Sequence, residues 1–134
     1  MLNIKAYVTN CGRKRILIVD GDIKIQSILR TCLTHAGYKV ECANTGEEAM
    51  ACLRVKPPQL VLIDSNTPGV DGFEIIRYMR GTKALKSIPV FVLTTESELE
   101  LIERALNSGA RRYLVKPIDP HLLIDRIKKE FGRK

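Results

Sequence analysis

Short, uninterrupted apolar runs alternate along the chain with longer segments in which apolar residues recur at helical spacing. Four of the runs cover residues 15–20, 59–64, 89–94 and 113–116. Their length and their lack of polar alternation predict strands that are buried on both faces, as in a parallel sheet. Residues 38–42 alternate between polar and apolar side chains, which predicts an edge strand.

Five segments with the period of amphipathic helices lie between and after these runs. Residues of helix-capping type precede three of them: Thr45, which has Glu48 at the spacing of a capping box, Asp71 and Asp119. Five strands alternating with five helices predict an α/β fold, a doubly wound parallel sheet in a single domain. The clearest apolar stripes comprise Ile25, Ile28, Leu29, Cys32 and Ala36 in the first helix, Leu99, Ile102 and Leu106 in the fourth, and Leu123, Ile127 and Phe131 in the fifth.

With 134 residues, of which 45% are hydrophobic and 28% charged, the chain has the size and composition of one folded domain. No apolar run approaches the ~20 residues of a membrane helix, so membrane insertion is not expected. The N-terminus lacks the apolar stretch of a secretory signal, which predicts a cytoplasmic location. Four cysteines without a C-x-x-C pair argue against a zinc site or a disulfide scaffold.

The net charge of +7 is concentrated at the two ends of the chain. Residues 1–14 form a basic N-terminal extension before the domain, which covers residues 15–134, and residues 111–134 hold eight bases and three acids. Basic ends suit nucleic acid or an acidic membrane surface. Because no aromatic interleaving or recognition motif accompanies them, we interpret them as solvated termini and expect no direct nucleic-acid binding.

Polar residues mark the carboxyl ends of the predicted strands, which is where ligands bind in doubly wound sheets. Asp20 follows the first strand, Asp64 ends the third, Thr94 ends the fourth and Lys116 ends the fifth. Together these groups suit phosphoryl transfer to a carboxylate. Asp64 would be the nucleophile, nearby acids would hold Mg²⁺, and Lys116 would pair with phosphate.

This constellation resembles the response-regulator receiver domains of two-component signalling, of the chemotaxis-regulator type. The resemblance covers about residues 14–132 and implies a flavodoxin-like sheet with the strand order 2-1-3-4-5. It is carried by ILIVDGD at 16–22, LVLID at 60–64 with Pro68-Gly69 and Asp71-Gly72, VLTT at 92–95, Gly109-Ala110, and YLVKP at 113–117.

The resemblance implies a chemical role for each matching residue of the site. Asp64 is the expected phosphoacceptor, which a sensor histidine kinase would phosphorylate in a Mg²⁺-dependent reaction. Asp20 and Asp64 are expected to bind the metal with their carboxylates, and Asn66 with its backbone carbonyl. Lys116 is the expected phosphate-binding amine, and Pro117 would follow it through a cis peptide bond.

The resemblance also implies a switch. Thr94 corresponds to the switch hydroxyl, and Tyr113 to the aromatic that turns inward on activation. The surface of the fourth helix, fifth strand and fifth helix would then signal to a downstream protein or output domain. Asn66 and Glu96 correspond to positions that line the approach of hydrolytic water, for which a solvated loop residue is the equal alternative. Beyond self-phosphorylation and self-dephosphorylation at Asp64, no enzymatic activity is expected.

Two positions depart from the family pattern. Gly21 stands where receivers usually carry a second metal-binding acid, so Mg²⁺ affinity is expected to fall unless Asp22 turns inward instead of capping its helix. Arg111 and Arg112 stand where many transcription-factor receivers carry acids of a symmetric dimer, which puts that dimer in doubt. A phosphorylation-independent interaction module is therefore the alternative function. A small flavodoxin-like enzyme or nucleotide binder ranks behind both, because no Gly-rich phosphate loop follows the first strand.

Overall fold

The computed structural model describes residues 13–95 and 99–133, and these fold as alternating strands and helices. The predicted extension lies largely outside the described residues, as does Glu96. The elements are β1 (Arg15–Val19), α1 (Ile23–His35), β2 (Lys39–Ala43), α2 (Gly46–Val55), β3 (Leu60–Asp64), α3 (Gly72–Arg80), β4 (Val90–Thr94), α4 (Leu99–Asn107), β5 (Arg112–Val115) and α5 (Pro120–Phe131).

The five strands form one parallel sheet in the order β2-β1-β3-β4-β5, which confirms the predicted fold class and strand order. From β1 the chain first adds β2 on one side. It then crosses to the other side of β1 and adds β3, β4 and β5 in turn. The reversal of winding lies between β1 and β3. Ligand-binding crevices in such sheets form outside the carboxyl ends of the strands at this point.

Alternate residues of the central strands enter two separate hydrophobic cores, one on each face of the sheet. In β1, Leu17 and Val19 pack with α2, α3 and α4, whereas Ile16 and Ile18 pack with α1 and α5. Side chains of a strand point alternately to opposite faces, so a strand with helices on both sides must be apolar throughout. Each fully buried large apolar side chain contributes about 1.5–3 kcal/mol.

Two predicted apolar stripes are partly wrong. In α1, Ile28 is 56% exposed, while Gln26 is only 8% exposed and faces the sheet. In α4, Leu99 and Leu106 are exposed, and Ala105 is the buried residue. Apolar spacing fixes only an approximate helix face, and the packing of the neighbouring elements decides which residues of that face are covered.

Among residues 13–95 and 99–133, no helix is long and apolar enough to cross a membrane.

Candidate functional site

The parallel sheet brings together the polar residues that follow its strands. Asp20 comes directly after β1, Asp64 is the last residue of β3, and Lys116 comes directly after β5. Because β1 and β4 both flank β3, residues at their carboxyl ends surround Asp64. The structure therefore assembles the predicted site at the predicted edge of the sheet.

Lys116 lies between the two carboxylates. Its Nζ is 2.7 Å from Oδ2 of Asp20 and 3.5 Å from Oδ2 of Asp64. The side chains are 10% exposed for Lys116, 2% for Asp20 and 16% for Asp64, so these charges are largely removed from water. The Lys116 amide donates to the Thr94 carbonyl at 2.6 Å, and the Lys116–Pro117 peptide bond is cis. A cation is thus held beside the buried Asp20 and the partly buried Asp64.

Burial raises the pKa of the Asp64 carboxyl above its ordinary value, and the nearby charge of Asp20 raises it further. The Asn66 amide, which donates to Oδ1 at 3.2 Å, and the Lys116 ammonium oppose this rise. The net upward direction means that the folded protein destabilises the charged form of Asp64. A cation bound beside both carboxylates would relieve this destabilisation.

The residues present fit a magnesium ion on the chemistry of their donor atoms. Mg²⁺ prefers oxygen ligands and commonly binds one or two carboxylates together with water and phosphate oxygens. Asp20 and Asp64 provide two neighbouring carboxylates, and Asn66 would add its backbone carbonyl. Within residues 13–95 and 99–133, no group of three or more His, Cys, Asp or Glu side chains is arranged to hold a metal. Any metal here would therefore rely on non-carboxylate oxygens to complete its shell.

Asp22 caps α1 in this structure. Its carboxylate accepts hydrogen bonds from the backbone amides of Lys24 at 2.9 Å and Ile25 at 3.4 Å. Its own amide donates to Oδ1 of Asp20 at 2.9 Å. Asp22 therefore positions Asp20 through its backbone, while its carboxylate occupies the helix N-terminus.

Gly21 is closely approached by the loop that follows β3. A Cβ atom at this position would lie 2.7 Å from Cδ of Pro68 and 3.1 Å from its Cγ. Pro68 is itself held, because its carbonyl accepts a 2.9 Å hydrogen bond from the Gly46 amide at the start of α2. Gly21, which stands where the resemblance implies a second metal-binding acid, thus leaves room for this loop.

Gly21→Ala is expected to destabilise the protein by about 1–3 kcal/mol, because the added methyl group overpacks against Pro68. Gly21→Asp would carry the same steric cost. Urea unfolding would measure it, with Gly81→Ala as the control. The nearest atom to a Cβ at position 81, apart from the adjacent residues, would be the Arg77 carbonyl oxygen at 3.6 Å. In a Pro68→Ala background the cost at position 21 should shrink. An undiminished cost in that background would contradict the steric explanation.

Three polar side chains that the sequence analysis did not single out support the site. Gln26 donates its side-chain amide to the carbonyl of Asp20 and, at 2.6 Å, to the side-chain oxygen of Asn44. The Thr67 hydroxyl donates to the Asp64 carbonyl at 2.6 Å. Ser65 is the third. Gln26 could have been noticed in the sequence, because it is a polar residue within an apolar helix face. A loop hydroxyl such as Thr67 has no sequence feature that predicts its contact.

Ser65 contacts the predicted switch residue directly. Its hydroxyl donates a 2.7 Å hydrogen bond to the hydroxyl oxygen of Thr94, which is buried at the end of β4. Tyr113, on the neighbouring strand β5, is partly buried and packs against the core under α3 and α4. Ser65 follows Asp64 in sequence, so the hydrogen bond connects the loop after β3 to the end of β4.

Ser65→Ala is expected to destabilise the protein by about 1 kcal/mol, the usual value of a lost internal hydrogen bond. Thr94→Val removes the same bond from the other side. A double-mutant cycle measured by urea unfolding should therefore show that Ser65→Ala costs less in the Thr94→Val background. Strictly additive costs would mean that the two hydroxyls do not interact in solution.

Known proteins resemble this chain in sequence. The model of the response regulator receiver domain family matches residues 16–128. The transcriptional regulatory protein AfsQ1 of Streptomyces coelicolor is 35% identical over 118 residues, covering 88% of this chain and 51% of AfsQ1. The DNA-binding response regulator MtrA of Mycobacterium tuberculosis is 31% identical over 121 residues, covering 90% of this chain and 52% of MtrA. The chain thus spans about half the length of these relatives.

Solved structures extend the likeness to the backbone. A CheY-like response regulator receiver domain protein from Methanospirillum hungatei superimposes with a TM-score of 0.82 at 32% identity, covering 88% of this chain and 93% of that chain. The chemotaxis response regulator CheY4 of Vibrio cholerae gives a TM-score of 0.82 at 32% identity, covering 87% and 98%. Nearly the whole of each solved chain has a counterpart here.

Proposed function

Because the chain belongs to the response regulator receiver domain family, we propose that it accepts a phosphoryl group on Asp64 from a sensor histidine kinase. The observation that carries the proposal is Lys116, whose ammonium lies within 3.5 Å of both Asp20 and Asp64 in a largely buried crevice. A domain without phosphate chemistry has no structural need for a lysine and two acids buried at the ends of three strands.

In the proposed reaction a carboxylate oxygen of Asp64 attacks phosphorus while the bond from phosphorus to the kinase's histidine nitrogen breaks. The electron pair of that bond stays on the imidazole, which takes a proton from solvent. Lys116 is placed to neutralise charge on the transferring group, and the Asn66 amide is oriented toward Asp64 by its hydrogen bond. Asp20, Asp64 and the Asn66 carbonyl would hold Mg²⁺, which when bound supplies further charge neutralisation at the phosphoryl oxygens.

The proposed response to phosphorylation runs through Thr94 and Tyr113 to the surface of α4, β5 and α5. Thr94 is buried beside the loop that follows Asp64, and Tyr113 lies on the neighbouring strand β5 in register with Val92, two residues before Thr94. Asn66 and Glu96 are proposed to influence self-dephosphorylation. We propose a cytoplasmic protein whose partners are the kinase and a downstream protein or output domain, with no direct nucleic-acid binding by this domain.

A phosphorylation-independent interaction module is the second candidate. It is favoured by Gly21 and by Asp22, whose carboxylate caps α1 and so leaves two carboxylates for the metal. Reduced Mg²⁺ affinity would slow phosphoryl transfer, since the acids and the ion act together.

Intact mass after incubation with Mg²⁺ and acetyl phosphate distinguishes the two candidates. The first predicts a gain of one phosphoryl group that peptide mapping places on Asp64 and that a chelator prevents. No gain, even at high Mg²⁺, would reject it and favour the interaction module.

A further inference from the structure

A basic groove crosses the edge of the sheet opposite the phosphoacceptor. Its volume is about 780 Å³. It is lined by residues that precede four strands and by residues at or just after the carboxyl ends of α3 and α5. Lys14, Lys86, Arg111 and Arg133 surround it, and Ile88 and Phe131 contribute apolar surface. The groove is therefore separate from the site around Asp64.

Arg80 holds two walls of the groove together. Its Nε and Nη2 donate to the Gly109 carbonyl at 3.1 and 2.8 Å, and its Nη1 donates to the carbonyls of Lys86 at 3.1 Å and Ile88 at 2.8 Å. Gly109 also permits close approach, since a Cβ there would lie 2.8 Å from the Arg80 side chain. A groove braced in this way requires little ordering when a ligand binds.

The four cations named above form the rim of the groove, and two of them have no acidic partner among the described residues. Glu130 is the acid of the groove, and it pairs with Arg111 at 2.9 Å and lies 3.9 Å from Arg133. In the part of the chain that the structure describes, Lys14 and Lys86 form no ion pair, and Lys14 instead lies 5.6 Å from the centre of the Phe131 ring. The rim thus carries positive charge that a bound anion would neutralise.

Helix dipoles account for Arg133, which follows the end of α5, but not for the other three cations of the groove. Basic residues in the last helical turns, such as Arg54 and Lys128, complement the negative helix ends. Lys14 and Arg111 instead precede strands, which have only small net dipoles, and Lys86 lies in the connection between α3 and β4. Their positions call for a different explanation.

We propose that this groove binds an acidic peptide segment of a partner protein, independently of the phosphorylation of Asp64. The rim lysines would pair with its carboxylates, and the apolar surface of Ile88 would contact a hydrophobic side chain between them. Single-stranded nucleic acid fits less well, because it needs exposed aromatic faces on which bases stack. The Phe131 ring is contacted by Tyr38, whose centre is 5.6 Å away, and by Lys14.

Fluorescence anisotropy with a labelled peptide of alternating glutamate and leucine tests the proposal on the full chain. We expect saturable binding that weakens about tenfold or more in Lys14→Glu with Lys86→Glu, equivalent to about 1.4 kcal/mol. The control, Lys24→Glu with Arg30→Glu, makes the same change in net charge on exposed positions of α1 and should retain binding. Asp64→Asn should bind as the unaltered protein does, and circular dichroism would verify that each variant is folded.

Several results would overturn the proposal. Equal weakening in the two double variants would show that overall charge, and not the groove, attracts the peptide. Tighter binding of single-stranded DNA of the same charge, or of phosphatidylserine vesicles, would show that the occupant is not an acidic peptide. Absence of saturable binding would reject the site itself.

Discussion

Asp64→Asn is expected to abolish phosphoryl uptake and, at neutral pH, to stabilise the folded protein. Uptake is lost because a carboxamide oxygen cannot act as the nucleophile that forms the acyl phosphate. Stability rises because the folded state penalises the ionised Asp64, whose pKa is raised by burial and by the charge of Asp20. Intact mass after treatment with acetyl phosphate measures the first effect, and urea unfolding measures the second.

The stability effect of Asp64 has a defined pH dependence. Because the pKa of Asp64 is higher in the folded state than the unfolded value of about 3.9, the folded protein binds more protons between those two values. The contribution of Asp64 to the free energy of unfolding therefore becomes less favourable as the pH rises through this window. The full destabilisation applies above the pKa of the folded state. The stabilisation by Asp64→Asn should be greatest at neutral pH and should vanish below the unfolded pKa.

Glu103→Gln is the matched control for Asp64→Asn, because it removes one carboxylate at an exposed position of α4. It should leave both phosphoryl uptake and the pH dependence of stability unchanged. Persistent labelling of the Asp64→Asn variant would show that the acceptor is another residue. A loss of stability at neutral pH would contradict the assigned direction of the Asp64 pKa shift.

Lys116→Met is expected to lower the free energy of unfolding by about 3–5 kcal/mol at neutral pH, more than the other single substitutions considered. This is the usual cost of removing one partner of a buried ion pair. The Asp20 carboxylate, whose side chain is 2% exposed, would lose its cation at 2.7 Å. Phosphoryl uptake should slow by about 10²-fold, as when a donor that stabilises a transition state is deleted. The pKa of Asp64 should rise further, because Lys116 lowers it in the unaltered protein.

Urea unfolding, the initial rate of mass gain and an NMR titration of the Asp64 carboxyl carbon measure these three effects. Lys83→Met, which removes an exposed lysine, is the control and should change none of them. Adding Asp20→Asn to Lys116→Met should recover much of the lost stability, because the neutral carboxamide needs no cation. Unaltered stability of Lys116→Met would mean that the buried charges are not coupled.

The main features of the fold could be predicted from local patterns. Apolar runs such as residues 60–64 have no polar face, so they require helices on both sides of a parallel sheet. Parallel strands end at one edge, which is why Asp20, Asp64 and Lys116 could be expected to converge although 96 positions separate the first from the last in sequence. The roles assigned to these residues remain proposals.

Other features depended on packing between segments that are distant in sequence. The apolar spacing of α1 placed Ile28 in the predicted buried stripe and left Gln26 out of it, yet the sheet covers Gln26 and leaves Ile28 exposed. The hydrogen bond from Ser65 to Thr94 joins residues 29 positions apart, and the approach of Pro68 to Gly21 joins two loops. Such contacts follow from the angles and distances at which elements pack, which the local pattern leaves undetermined.

Periodicity and strand direction were enough to predict the element order, the two-sided burial of the sheet and the edge at which the acids and the lysine meet. Packing between distant segments was needed to establish that Asp22 caps α1, that Pro68 closely approaches position 21, and that Arg80 braces a basic groove. Each of these depends on contacts of a few ångströms between separate segments, and a contact of that kind exists only once the chain has packed.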